Sequence, residues 1–128
     1  MKVLLDTHAF FWLITGDERL SRKARTTFLN KANRIFLSAA SFWEIGIKMS
    51  LGKLSLKEGW VDTVRQEMKV NYIEWLPIEM AHCIELINLP FHHHDPFDRM
   101  LIAQAIIERM HILSQDDGFS KYPVQLVW

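Results

Sequence analysis

Apolar residues follow two rhythms along this chain. Lys2-Val3-Leu4-Leu5, Ile35-Phe36-Leu37 and Ile112-Leu113 are short apolar runs bounded by polar or turn residues, which predicts buried strands. Tyr72 to Leu76 and Val124 to Val127 are weaker candidates for a third strand and a last one. Between these runs the apolar positions recur at helical spacing, as in Trp60, Val61, Val64 and Met68, so Glu58 to Val70 is predicted helical. A helix is also predicted from Thr7 to Ile14, broken at Gly16-Asp17. Another follows Ser21 as N-cap and runs to about Asn30. Ser38 or Ser41 caps a helix that runs to Gly52, a glycine stop. Glu79 to Asn88 ends before Pro90, and Asp95-Pro96 opens a helix to about Arg109 with proline at its first position. Strands alternating with helices predict an α/β fold with a mostly parallel sheet of four or five strands.

Length and composition narrow the class. A chain of 128 residues suits a single domain, 1–128, with one good core. No apolar stretch approaches the roughly 20 residues needed to cross a bilayer, and MKVLLDTHAFFW has no small-residue cleavage site, so no secretory signal is expected. Cys83 is the only cysteine, which excludes an internal disulfide and suits a reducing cytoplasm. Lys plus Arg equals Asp plus Glu at 15 each, so overall charge gives no basic footprint for nucleic acid. Five tryptophans and eight phenylalanines exceed what one small core needs, and the surplus suggests a partner surface.

The candidate chemistry lies in the acids. Asp6 and Asp116 fall just past predicted strands, and Glu44 and Asp98 fall in the first turns of predicted helices. In open parallel sheets ligands bind at the carboxyl ends of the strands. Carboxylates converging there would repel one another unless a hard cation such as Mg²⁺ or Mn²⁺ neutralised them. A bound metal of this kind activates water against a phosphoryl group. Each acid also has a structural reading. Asp6 can cap the following helix, and Ser41-Phe42-Trp43-Glu44 has the spacing of a capping box. Asp95 and Asp98 suit the N-cap and N3 positions, and Asp116-Asp117-Gly118 can be a plain turn. Spacing alone leaves both readings open.

The motifs themselves add a resemblance. VLLDTHAFFW, SAASFWEIGIK, HHHDPFDRMLIAQA and ILSQDDGF resemble, in order, the four motifs of PIN-domain proteins, and the third is very similar to the version in VapC-type toxins. Together they span nearly the whole chain. The resemblance implies a three-layer α/β/α domain and a metal-dependent endoribonuclease, the toxin of a toxin–antitoxin pair. Asp6, Glu44 and Asp98 then match the main metal-holding acids and Asp116 the fourth. Asp117 is its neighbour, but Asp116 fits the spacing to Phe119 better. Thr7 matches a supporting hydrogen-bonding position. The resemblance also implies hydrolysis of single-stranded RNA, a homodimer, and a small antitoxin whose C-terminal segment occupies the groove.

Other residues are less decisive. Arg99 either holds a substrate phosphate or pairs with a nearby acid, with equal weight. Lys48 and Lys53 either line an RNA path or belong to a solvated face, the latter being commoner. Trp12, Phe42 and Trp43 suit base stacking, but packing is the stronger expectation. His92-His93-His94 is expected to be a polar loop, since three consecutive side chains do not easily converge on one ion. Cys83 is expected to be buried. His82 with His94-Asp95 faintly resembles the helical HD-type phosphohydrolases, but the strand runs argue against that. The non-enzymatic alternative is the same fold as an inactive RNA- or protein-binding module.

Overall fold

The computed structural model describes residues 1–92 and 94–128. Its strands β1 (Lys2–Leu5), β2 (Arg34–Ser38), β3 (Ile73–Leu76), β4 (His111–Leu113) and β5 (Leu126–Val127) form one sheet in the order β3-β2-β1-β4-β5. Every pairing is parallel. The helices are α1 (Thr7–Thr15), α2 (Arg22–Leu29), α3 (Ala39–Ser50), α4 (Trp60–Val70), α5 (Met80–Asn88) and α6 (Pro96–Glu108).

Consecutive residues of a strand point to opposite faces, and here both faces are covered. Leu4, Phe36 and Ile112 pack with Ala40 of α3, Leu101 and Ile102 of α6 and, at its margin, Leu86 of α5. Val3, Leu5, Ile35, Leu37 and Leu113 pack on the other side with Ala9 and Phe10 of α1, Ala24 of α2 and Val64 of α4. The unbroken apolar runs are thus explained, and the expected three-layer α/β/α fold with a parallel sheet is what forms.

Most helix ends lie where local chemistry put them. Ser21 caps α2 through the Ala24 amide. Gly16 closes α1 at φ 66°, where a side chain would be strained. The start of α3 differs from the capping-box reading. Ser38 Oγ accepts from the Ala40 amide as β2 ends, so the helix begins three residues before Glu44's expected cap at Ser41. Ser41 is interior and buried, its hydroxyl without a hydrogen-bond partner among the described residues, and Glu44 sits in the second turn. Helix α3 also ends at Ser50, short of Gly52.

A buried polar chain ties the helical layer beneath the sheet together. Gln104 of α6 is fully buried. Its oxygen accepts from the Ser38 hydroxyl, and its amide donates to Pro77 O at 3.1 Å. His82 of α5 lies alongside, at 3.4 Å from that amide. Its Nδ1 accepts from the Glu79 amide, which leaves Nε2 to donate to Glu108 at 2.9 Å. His82 is therefore an interior structural residue, and the parallel sheet removes the all-helical alternative. Cys83, expected inside, is exposed, because α5 turns that side to solvent.

Candidate metal centre

Strand order fixes where a site can form. The chain runs outward from β1 to β2 and β3, then returns to place β4 on the other side of β1. The direction of winding reverses between β1 and β4, which opens a crevice at their carboxyl ends. Asp6 and Asp116 follow those two strands, and the Asp6 amide donates to Leu113 O at 3.2 Å, pinning the floor of the crevice. Glu44 enters from α3 and Asp98 from the first turn of α6.

The four acids line one small cleft with Thr7, His8, Lys48, Asp95 and Phe119. Its volume of about 130 Å³ suits an ion with a few waters, whereas a nucleotide would lie across the mouth. Asp6 is buried, and its Oδ1 accepts from the Ala9 amide at 2.6 Å as N-cap of α1. Glu44 is buried as well. Its Oε1 accepts from the Thr7 hydroxyl at 2.7 Å, and its Oε2 meets Lys48 Nζ at 2.6 Å. Asp95 caps α6 by accepting from the Phe97 and Asp98 amides, both at 2.9 Å, and this leaves Asp98 pointed at the cleft wall. Asp116 accepts from the Gly118 amide at 2.8 Å, and its own amide donates to Ser114 Oγ at 3.0 Å. Asp117 instead begins a 3₁₀ turn, is exposed, and does not line the cleft.

Electrostatics mark this cleft off from the rest of the molecule. Burial pushes the Asp98 carboxyl up to about 7, and the charges of Asp95, Glu44, Asp116 and Asp6 add to the effect. Burial also raises Asp6, and Asp116 adds to that. The Ser114 hydroxyl, the Ala9 amide and His8 partly offset the rise. Five carboxylates thus share a cleft whose lining includes one lysine.

An all-oxygen, strongly anionic donor set fits a hard divalent cation, which would offset the burial and the mutual repulsion that raise the Asp98 carboxyl. The set is open, however. Among the described residues no three His, Cys, Asp or Glu side chains stand as a closed ligand group. Glu44 is occupied by Thr7 and Lys48. A cation at Glu44 would compete with Lys48 for the carboxylate's charge, and one at Asp98 would displace any proton held there.

Arg99, weighed in the sequence as a phosphate ligand or an acid's partner, is placed away from both roles. It is buried, and it donates to Pro90 O at 2.8 Å and to Leu86 O and Leu89 O at 3.2 Å each. Its guanidinium also lies over the Phe91 ring. It closes the carbonyl end of α5, a position one residue from Asp98 but on another face of α6. Phe42 stacks on Trp60, and Trp12 meets Trp128 edge-on, as packing predicted. Trp43 stays exposed against Phe97. His92 packs on Tyr122 and His94 on Phe91, while His93 lies outside the described residues. His8 also lines the cleft, and the sequence signal for it is its place two residues after Asp6 on the first turn of α1.

The sequence matches the family model described as the PIN domain over residues 3–125, and the chain belongs to that family. No curated protein sequence matches it. Among solved structures it is similar to one of VapBC2 from Rickettsia felis, bound to a DNA fragment from their promoter. There it has 16% identity and a TM-score of 0.73, covering 98% of this chain and 97% of that one. It is also similar to VapBC-1 from nontypeable Haemophilus influenzae, at 14% identity and a TM-score of 0.67, covering 98% and 96%. At these identities the likeness is one of fold.

Proposed function

We propose that this protein is a divalent-cation-dependent endoribonuclease and the toxin of a toxin–antitoxin pair acting in the cytoplasm. The observation that carries this reading is the convergence of Asp6, Glu44, Asp98 and Asp116 from four separate elements on one cleft at the switch point of the sheet. Membership of the PIN domain family supports it.

In this reading Asp6, Glu44, Asp98 and Asp116 hold one or two Mg²⁺ or Mn²⁺ ions. Such an ion, when bound, lowers the pKa of water and offsets charge on a phosphodiester. The chain's own residues do the rest. Thr7 fixes one oxygen of Glu44 and so its rotamer. The Ala9 and Gly118 amides each hold one oxygen of Asp6 and Asp116 in place. Asp98, raised to about 7 by burial and by the neighbouring acids, is the carboxyl whose charge a bound cation would favour most. Short turns and caps leave little reorganisation for the reaction itself.

Both similar structures are VapBC assemblies, which supports an antitoxin partner here. Exposed apolar side chains at helical spacing offer surface for that partner and for a second copy of the chain: Trp43 and Ile47 on α3 with Leu51 at its C-cap, and Met80, Ile84 and Ile87 on α5. The test is cleavage of structured and single-stranded RNAs with Mg²⁺, Mn²⁺ or EDTA, beside the Asp98→Asn variant. Metal-dependent cuts lost in the variant are expected. Calorimetric Mn²⁺ binding without any cut would instead favour the inactive binding module.

A further inference from the structure

An anionic cleft that is to hold a phosphodiester needs a cation of its own for the substrate, beyond any metal. Arg99 does not supply it, since its guanidinium is spent on the carbonyls of Pro90, Leu86 and Leu89. Lys53 follows α3 and is not part of the lining. Lys48 is the one lysine or arginine in the described lining of the cleft.

Its placement follows from helix geometry. Lys48 lies four residues after Glu44 on α3, and long helical side chains lean toward the N-terminus, so the ammonium is carried back over the carboxylate. Nζ reaches Glu44 Oε2 at 2.6 Å. Glu44's side chain is nearly inaccessible at 8%, while that of Lys48 is 39% exposed. The pair therefore has a buried half committed to the site and an accessible half at its mouth, where a strand of nucleic acid too large for the cleft would pass. The partner of Lys48 is also one of the acids assigned to the cation. Once that carboxylate is engaged, the ammonium loses its counter-ion while remaining tethered beside the site.

Resting on the ribonuclease reading above, we propose that Lys48 is the substrate-phosphate ligand of this cleft, parked on Glu44 until cation and RNA arrive together. In the metal-free protein it is the internal counter-ion of Glu44. In the loaded complex it exchanges that carboxylate for a phosphate oxygen at the cleft mouth, a charge-assisted hydrogen bond of ordinary kind. Sequence reading leaves Lys48 and Lys53 alike, either lining an RNA path or on a solvated face, and the contact with Glu44 is what separates the two.

The experiment measures two affinities in Lys48→Met and Lys48→Arg. One is Mn²⁺ binding by calorimetry. The other is binding of a short fluorescein-labelled single-stranded RNA of mixed sequence with hydrolysis-resistant phosphorothioate linkages, followed by anisotropy with Mn²⁺ present and all four acids in place, over a salt series. Lys48→Met should weaken RNA binding roughly tenfold and lower the slope of log affinity against log salt by about one. Lys48→Arg should restore both. Mn²⁺ affinity should hold or tighten in Lys48→Met, because a competing cation is gone. Unchanged RNA affinity and slope in Lys48→Met, with weakened Mn²⁺ binding, would make Lys48 a strut for Glu44 and overturn the proposal. Both affinities unchanged would leave Lys48 a solvated lysine and overturn it too. Failure of the unsubstituted chain both to cut and to bind RNA removes the ribonuclease reading itself, an outcome distinct from either.

Discussion

Ser38, Gln104 and His82 are as deeply buried as Asp6 and Glu44, yet the two polar groups are built differently. In the first, donors and acceptors match. The Ser38 hydroxyl meets Gln104, the Gln104 amide meets Pro77 O, and His82 takes the Glu79 amide and gives to Glu108. In the second, acceptors outnumber donors, and the surplus appears as carboxyl groups pushed upward by burial and by one another. A matched cluster fixes the fold and needs nothing more. A cluster with excess charge of one sign costs stability by itself and is relieved by an outside cation, so it marks the place where function is to be sought. Lys48 offsets a single charge and leaves the imbalance standing.

The largest expected effect is on the unmatched group. Asp98→Asn should lower RNA cleavage on the order of 10³-fold or more, about 4 kcal/mol of transition-state stabilisation, with the fold intact by circular dichroism. Cleavage at the unsubstituted rate would break the contrast at its root. Next comes the matched group. Gln104→Met keeps the volume but strands the Ser38 hydroxyl and the Pro77 carbonyl, and should cost about 2–4 kcal/mol in urea unfolding. A neutral result would mean that the chain of bonds from Ser38 to His82 does not hold α3 against α6.

The pH dependence of the metal-free protein comes third, and its sign follows from Asp98. Between about pH 4 and pH 7 the folded chain keeps a proton that the unfolded chain releases, since the Asp98 carboxyl is raised from 3.8 to about 7. Stability from this group is therefore lost as pH rises through that window and is level above it. Asp6 acts in the same direction. Asp98→Asn should flatten the curve and, above pH 7, exceed the unsubstituted protein by about 1–2 kcal/mol after allowance for solvent screening. Saturating Mn²⁺ should reverse the slope. Thermal unfolding across pH checks this, and an unchanged profile in Asp98→Asn would remove Asp98 as its source. The smallest effect is expected from Thr7→Val, which takes away one hydrogen bond to Glu44. A loss of roughly fivefold in kcat/KM, about 1 kcal/mol, is expected, and an undiminished value would show that Lys48 alone orients Glu44.

Much of this was legible from local pattern. The apolar runs marked β1, β2 and β4 because strands covered on both faces must be apolar throughout. Proline at the first position with aspartate before it marked the start of α6, and Ser21 the start of α2. Glu44 was placed on the right helix but in the wrong turn. Ser38 and Ser41 are equally good caps in a string of letters, and only the end of β2 decides between them.

The sequence by itself determined which residues bear charge, where strands and helices alternate, and so the family and the four acids that match its motifs. Tertiary structure alone decided which polar residues face one another. Arg99 and Asp98 are neighbours in the chain, yet a helix sends adjacent side chains about 100° apart, so one closes α5 while the other lines the cleft. Lys48 and Lys53 are alike in composition, but only the first lies one helical turn beyond a buried glutamate. Gln104 and His82 are 22 residues apart and meet because α5 packs on α6. Local preferences are set by covalent neighbours and survive in the sequence as pattern, whereas the pairing of charges depends on distances that exist only after the sheet has brought its carboxyl edges together.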